Sequence, residues 1–180
     1  MREVQPIRDK AKIEAMKVEL LKRGYRDYLL FVVGINTGLR ISDILNLRVK
    51  DVKDKTHITL TEQKTGKTKR FLINDQLRGE LEKFIRGMDE DEYLFQSRKG
   101  GNPITRVQAY RILNDAATKV ALEEIGTHTL RKTFGYHHYQ KNKDIALLQK
   151  LFNHSAPSVT LRYIGITQDM MDKTMEEFFL

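Results

Sequence analysis

The side chains that could do chemistry crowd into residues 127–163. The run Thr127-His128-Thr129-Leu130-Arg131 sets an imidazole and a guanidinium three residues apart. On a helix, groups at i and i+3 project from one side. The run Phe152-Asn153-His154-Ser155 adds a second imidazole, and Tyr163 supplies a phenol nine positions later. Far upstream, Arg40 sits between Leu39 and Ile41, where its apolar neighbours would hold it in place. With a lysine from an expected hairpin, Lys64 or its neighbours Lys67 and Lys69 on the same turn, these groups suit the opening of a phosphodiester without metal. Arg40 and Arg131 can clamp the nonbridging oxygens bidentately as charge builds on them, a geometry that lysine lacks. His128 and His154 can donate hydrogen bonds or move protons near neutral pH. Tyr163 offers an oxygen that makes a reversible ester. Lys64, on a flexible turn, can protonate a strongly basic leaving oxygen. Taken singly, each residue reads as structure: Arg40 as a partner of Asp43, Tyr163 as a packing residue, each histidine as a satisfied polar group.

The pattern of apolar residues supplies the elements that must position this set. Residues 8–22 read as a helix with Ile13, Met16, Leu20 and Leu21 at helical spacing, ended by Gly24. Residues 28–36 are apolar nearly all round, as in a buried central helix. Gly38 suits a left-handed cap after it, and Ser42 can cap a short helix that turns Ile44, Leu45 and Leu47 inward. Residues 57–61 and 70–73 alternate around a lysine-rich turn, which predicts a β-hairpin; residues 49–53 could add a third strand. A helix begins at Asp75 with Leu77, Leu81, Phe84 and Ile85 on one face. Residues 98–103 form a basic turn suited to a backbone phosphate. Thr105 can cap a helix to about Val120, with Val107, Ile112, Leu113 and Ala116 inward and Arg106, Gln108 and Arg111 outward, where they could face DNA or solvent. Thr127 or Thr129 can cap the helix carrying His128 and Arg131, whose N-terminus offers N–H groups to an anion. His137 and His138 read as ordinary helix residues. A helix over residues 144–152 ends at Asn153, which tolerates a left-handed backbone. A short helix led by Ser155 and Pro157 reaches Tyr163. Residues 167–180 form a terminal helix with Met170, Met171 and Phe178 on a sticky side, to close the chain's own core or dock on a second copy.

The totals narrow the field. The 180 residues fit one domain, at roughly 100–200 residues each. A hydrophobic fraction of 40% supports a packed core. With no cysteine, disulfides, thiolate metal sites and a cysteine nucleophile are excluded, which fits a cytoplasmic location. No apolar run reaches membrane-spanning length. A net charge of +8 and a pI near 9.6 point to a polyanionic partner. No cluster of carboxylates suggests a two-metal nuclease.

The motifs Thr37-Gly38-Leu39-Arg40-Ile41-Ser42-Asp43, His128-Thr129-Leu130-Arg131-Lys132-Thr133-Phe134 and Leu151-Phe152-Asn153-His154-Ser155, with Tyr163, resemble the catalytic domain of the tyrosine recombinases (phage integrase family). The resemblance covers nearly the whole chain and implies a mostly helical α+β fold with a small antiparallel sheet. It implies strand cleavage through a 3′-phosphotyrosyl link and rejoining by a 5′-hydroxyl, with no ATP, metal or other cofactor. By resemblance, Arg40 and Arg131 are the clamp, Lys64 the general acid, His128 and His154 the supporting pair, Tyr163 the nucleophile, and Asp43 the support of Arg40. The implied partner is double-stranded DNA, with self-association on it as a tetramer. Asn153 stands where the family usually has glycine. The helical DNA-clamping domain that most members carry first is missing, as in an excised catalytic fragment or the short invertase-like members. Two other readings keep this fold: a non-cleaving DNA-binding module that regulates a full-length recombinase, and a relaxing enzyme of the type IB topoisomerase kind.

Overall fold

The computed structural model describes residues 4–61, 66–176 and 178–179. Helix α1 (Lys10–Arg23) starts where the Asp9 carboxylate accepts the Ala11 N–H at 2.8 Å. Its Ile13, Met16 and Leu20 pack against α2 (Tyr25–Thr37), which is buried at Leu29 to Gly34 as its all-round apolarity predicts. Gly38 ends α2 with φ 66°, a left-handed cap that glycine adopts without steric cost.

Helix α3 (Ile41–Leu45) follows, with one correction. The extended residue that precedes it is Arg40 (φ −68°, ψ 146°), so Ser42 lies inside the helix and caps nothing. The suggested third strand is also absent: Val49–Asp51 forms a 3-10 turn. The Asp51 carboxylate takes the Arg48 N–H at 2.8 Å and curls the chain, leaving a single bridge between Arg48 and Tyr93. Strands β1 (His57–Thr61) and β2 (Thr68–Leu72) pair antiparallel, with Ile58 opposite Phe71 and both buried. Helix α4 (Asp75–Ile85) buries Leu77, Leu81 and Ile85.

The basic turn expected at residues 98–103 is the tip of a second antiparallel pair, β3 (Gln96–Ser97) with β4 (Gly100–Pro103). Helix α5 (Arg106–Lys119) opens on the expected Thr105 cap, closed into a reciprocal box by Gln108. Val107 was expected to face inward and is exposed; Ala109 takes that place, in phase with Ile112, Leu113 and Ala116.

Helix α6 is Thr129–Asn142. Neither Thr127 nor Thr129 caps it: His128 occupies the cap position in a helical backbone conformation, and the Thr129 hydroxyl accepts the Gly126 N–H at 3.0 Å. Helix α7 (Ile145–Phe152) is capped by Asp144 and ends at Asn153, left-handed at φ 56°. Helix α8 (Pro157–Tyr163) has Pro157 first and Tyr163 last. Helix α9 (Ile166–Met175) buries Ile166 but leaves Met170, Met171 and Met175 exposed, along with Phe178 and Phe179 beyond it. The tail therefore closes its own core only at Ile166; Leu180 lies outside the described residues. The segment before α1 is tied down by Ile7, whose N–H reaches Thr133 Oγ1 and whose carbonyl meets His137 Nε2, both at 2.9 Å. No helix among the described residues is long and apolar enough to cross a membrane.

Two hydrophobic clusters result. The larger joins α1 to α5 and the β1–β2 hairpin, and takes in Leu130 of α6. The smaller gathers Leu148, Phe152, Ile164 and Ile166, with Phe134, Tyr136, Tyr139 and Tyr163 packed on it. Helix α6 belongs to both. A Cβ on Gly34 would strike Leu130 at 2.5 Å, and one on Gly135 would strike Ile164 and Phe152 within 2.8 Å. The chain therefore needs glycine at both approaches.

Candidate active site

Arg131 is buried to 3% of its surface at the meeting of two helix ends. Its Nη1 donates to the carbonyl of Gly38, which caps α2, at 2.6 Å, and its Nη2 to that of Phe152, the last residue of α7, at 3.0 Å. Helix C-termini carry partial negative charge, so two of them offset the cost of burying this cation. Arg40 is half-buried at the start of α3. Arg40, His128 and Arg131 line one cleft of about 460 Å³, together with Ile41, Ser42, Arg106 and Thr127. Three guanidiniums and an imidazole around one opening suit an anion.

Tyr163 stands beside this cleft. Its hydroxyl lies 3.4 Å from His128 Nδ1, and its ring meets Phe152 at 5.7 Å and His154 at 5.1 Å between centroids. Burial raises the phenol's pKa above its usual value; the charges of Arg131 and Arg40 pull it back part of the way. The phenol therefore stays protonated at neutral pH. His154 follows the left-handed Asn153, and its Nδ1 is 3.0 Å from Thr160 Oγ1. Burial lowers its pKa to about 4, helped by Arg131, Arg40 and Lys69, so the ring is neutral at pH 7.

The structure thus brings together Arg40, His128, Arg131, His154 and Tyr163. Asp43 is buried in α3, and its backbone N–H donates to the Arg40 carbonyl at 2.9 Å. Lys64 lies outside the described residues. Its neighbours on the hairpin reach the end of α7: Lys67 Nζ donates to Asn153 Oδ1 at 2.8 Å, and Lys69 Nζ to the Leu151 carbonyl.

Sequence reasoning missed three contributors. Phe152 is the platform of the site, with the Arg131 guanidinium 4.1 Å from its ring centroid and His154 and Tyr163 against its edges. Thr160 holds His154. Lys132 is buried, with Nζ 5.1 Å from the Tyr163 ring centroid. Phe152 stands in the motif before Asn153 and His154, but in sequence its side chain looks like that of any core residue. Arg106 is exposed on α5, as its sequence position predicts, and borders the cleft.

A mostly helical α+β chain with this cleft has the fold of a tyrosine-recombinase catalytic domain. The crystal structure of XerA recombinase shares it with a TM-score of 0.77 at 19% identity, over 98% of this chain and 66% of that one. XerH site-specific recombinase bound to difH substrate shares it with a TM-score of 0.72 at 21% identity, over 90% and 51%. Residues 8–169 match the Phage integrase family, and the chain belongs to that family. Probable integrase/recombinase YoeC of Bacillus subtilis (strain 168) is 57% identical over 166 residues, which are 92% of each chain. Against other curated tyrosine recombinases the chain spans little more than half their length, 54% of one and 58% of another.

Proposed function

We propose that this chain cuts and rejoins double-stranded DNA at specific sites through a 3′-phosphotyrosine intermediate, as the catalytic domain of a recombinase or integrase. Arg40 and Arg131 hold the nonbridging oxygens of the scissile phosphate. The Tyr163 oxygen forms a bond to phosphorus as its proton passes to His128, and the bond from phosphorus to the 5′-oxygen breaks. Lys64 supplies the proton that the departing oxygen takes up. A 5′-hydroxyl from a partner strand then reverses each step, so the ester stores the bond energy and strand joining needs no other source. Asp43 steadies Arg40 from within α3.

The observation that carries this reading is the 3.4 Å approach of the Tyr163 hydroxyl to His128 Nδ1 at the edge of a cleft lined by Arg40 and Arg131. The net charge of +8 and the bound substrate in the XerH structure favour DNA as the polyanion. Self-association on DNA, up to a tetrameric synapse, is part of the proposal; the exposed Met170, Met171, Met175, Phe178 and Phe179 supply apolar surface for it.

The test is mass spectrometry of protein incubated with nicked duplexes of randomised sequence, in which a released fragment prevents resealing. A nucleotide adduct on Tyr163, absent from Tyr163→Phe, is the expected result. An adduct on another residue, or none, sinks the proposal and leaves a DNA-binding module that does not cut.

A further inference from the structure

His154 gives one of its two ring nitrogens to a buried hydroxyl. Nδ1 lies 3.0 Å from Oγ1 of Thr160, a residue with no exposed surface in the middle of α8. That contact is the only side-chain hydrogen bond that Thr160 makes among the described residues. A helical threonine often sends its hydroxyl hydrogen back to the carbonyl four residues earlier, as Thr37 does to Val33 at 2.7 Å. At Thr160 no such back-bond forms: the Ala156 carbonyl receives the backbone N–H, and among the described residues the hydroxyl meets only His154.

This fixes the direction of the bond. Were Nδ1 protonated and donating, the hydroxyl hydrogen would sit in a dry interior with no acceptor, and the full desolvation cost of a buried donor would remain. With the hydroxyl donating, Nδ1 is a bare acceptor and both groups are satisfied. In a neutral imidazole the proton must then be on Nε2. We propose that Thr160 is a positioning residue that donates to Nδ1 of His154, holds the ring as the Nε2–H tautomer, and makes it a hydrogen-bond donor to the scissile phosphate instead of a proton acceptor. The phosphate in this statement rests on the function proposed above; the tautomer does not.

Two further features agree. Phe152 and Tyr163 meet the His154 ring edge-on at 5.5 and 5.1 Å, which fixes its plane. Burial, and then the positive charges of Arg131, Arg40 and Lys69, keep the ring neutral, so a single proton has to be placed on one nitrogen or the other. The two histidines then divide the work: His128, whose Nδ1 faces the phenol, takes the proton, and His154 donates.

The experiment uses the full chain labelled with 15N-histidine, and it needs no ligand. Multiple-bond 1H–15N spectra should show an unprotonated Nδ1 and a protonated Nε2 for His154. Thr160→Val, nearly isosteric, should shift the ring to a mixture of tautomers, and Thr160→Ser should restore it. A wild-type ring protonated at Nδ1 overturns the proposal. In the nicked-duplex assay Thr160→Val should lower the adduct rate about 10- to 100-fold, the range for partners that orient metal-bound histidines. It should add nothing in a His154→Ala background, and Thr160→Ser should recover most of the rate. An equal loss in both backgrounds overturns the positioning role in favour of packing. If wild-type protein forms no adduct, the proposed function fails while the ring spectrum still decides the Thr160 bond.

Discussion

Arg131 and Phe152 grip each other twice: Nη2 donates to the Phe152 carbonyl at 3.0 Å, while the guanidinium carbon stands 4.1 Å from the centroid of the same residue's ring. One residue thus receives the cation through its backbone and through its π face, where a desolvated pair is favourable. Arg131→Lys keeps the charge but cannot reach Gly38 and Phe152 together. It should cost about 1.5–3 kcal/mol of stability, as for a hydrogen bond made by a charged group. On the proposed role of Arg131 in holding the scissile phosphate, it should also slow adduct formation by about 100- to 1000-fold. Urea unfolding and adduct yield measure the two effects separately.

His154 gives stability a pH dependence. Its folded pKa, about 4, lies below the ordinary 6.5. The unfolded chain therefore binds the proton more tightly, and stability is whole above about pH 6.5 and is lost as the pH falls toward 4. For a half-buried ring screened by solvent, the loss is about 1–2 kcal/mol. His154→Gln, which cannot titrate, should show a flatter urea midpoint between pH 7 and 4. An equally steep fall in the variant would place the dependence elsewhere.

Gly135 marks where α6 meets the smaller cluster, and a Cβ there would lie 2.7 Å from Ile164 and 2.8 Å from Phe152. Gly135→Ala should destabilise by about 1–3 kcal/mol, the usual cost of overpacking. It should also displace the end of α8 that carries Tyr163, so adduct yield should fall more than stability alone explains. Comparing yields well below the melting temperature separates the two.

Arg106 borders the cleft from the first turn of α5, exposed as the sequence predicts. Arg106→Ala should weaken binding to every duplex in similar proportion and reduce the salt slope of log K by about 1, as for the loss of one phosphate contact. Titration by fluorescence anisotropy at several salt concentrations reads both numbers.

What the sequence revealed depended on the kind of signal each feature leaves. Helices α1, α2, α4 and α7 were legible because caps and apolar spacing agree: Asp9, Gly38 and Asn153 stand where a helix must start or stop. The 3-10 turn at Val49 was not, because Asp51 bends the chain through a carboxylate-to-backbone bond that has no periodic trace. Val107 was misplaced because its apolarity argued for burial, whereas the phase of α5 is set by Ala109 and Ile112. In the site, Arg40, His128, Arg131, His154 and Tyr163 could be picked out by residue type and order. Phe152 and Thr160 could not, since their contribution is only to touch the others in three dimensions.

The two hydrophobic clusters give the cleft an uneven mechanical footing. Arg40 rises from the larger body, and His128 and Arg131 from the turn of α6 nearest to it; His154 and Tyr163 ride on the smaller bundle of α7 and α8. Regions with few buried apolar contacts open more readily than a main core. Excursions of that bundle alone would carry the phenol away from the cleft and take with it Phe152, one of the two backbone anchors of Arg131. Cutting power could then be switched off and on for far less than the free energy of denaturing the whole chain, and amides of α7 and α8 would exchange with deuterium ahead of those in α2.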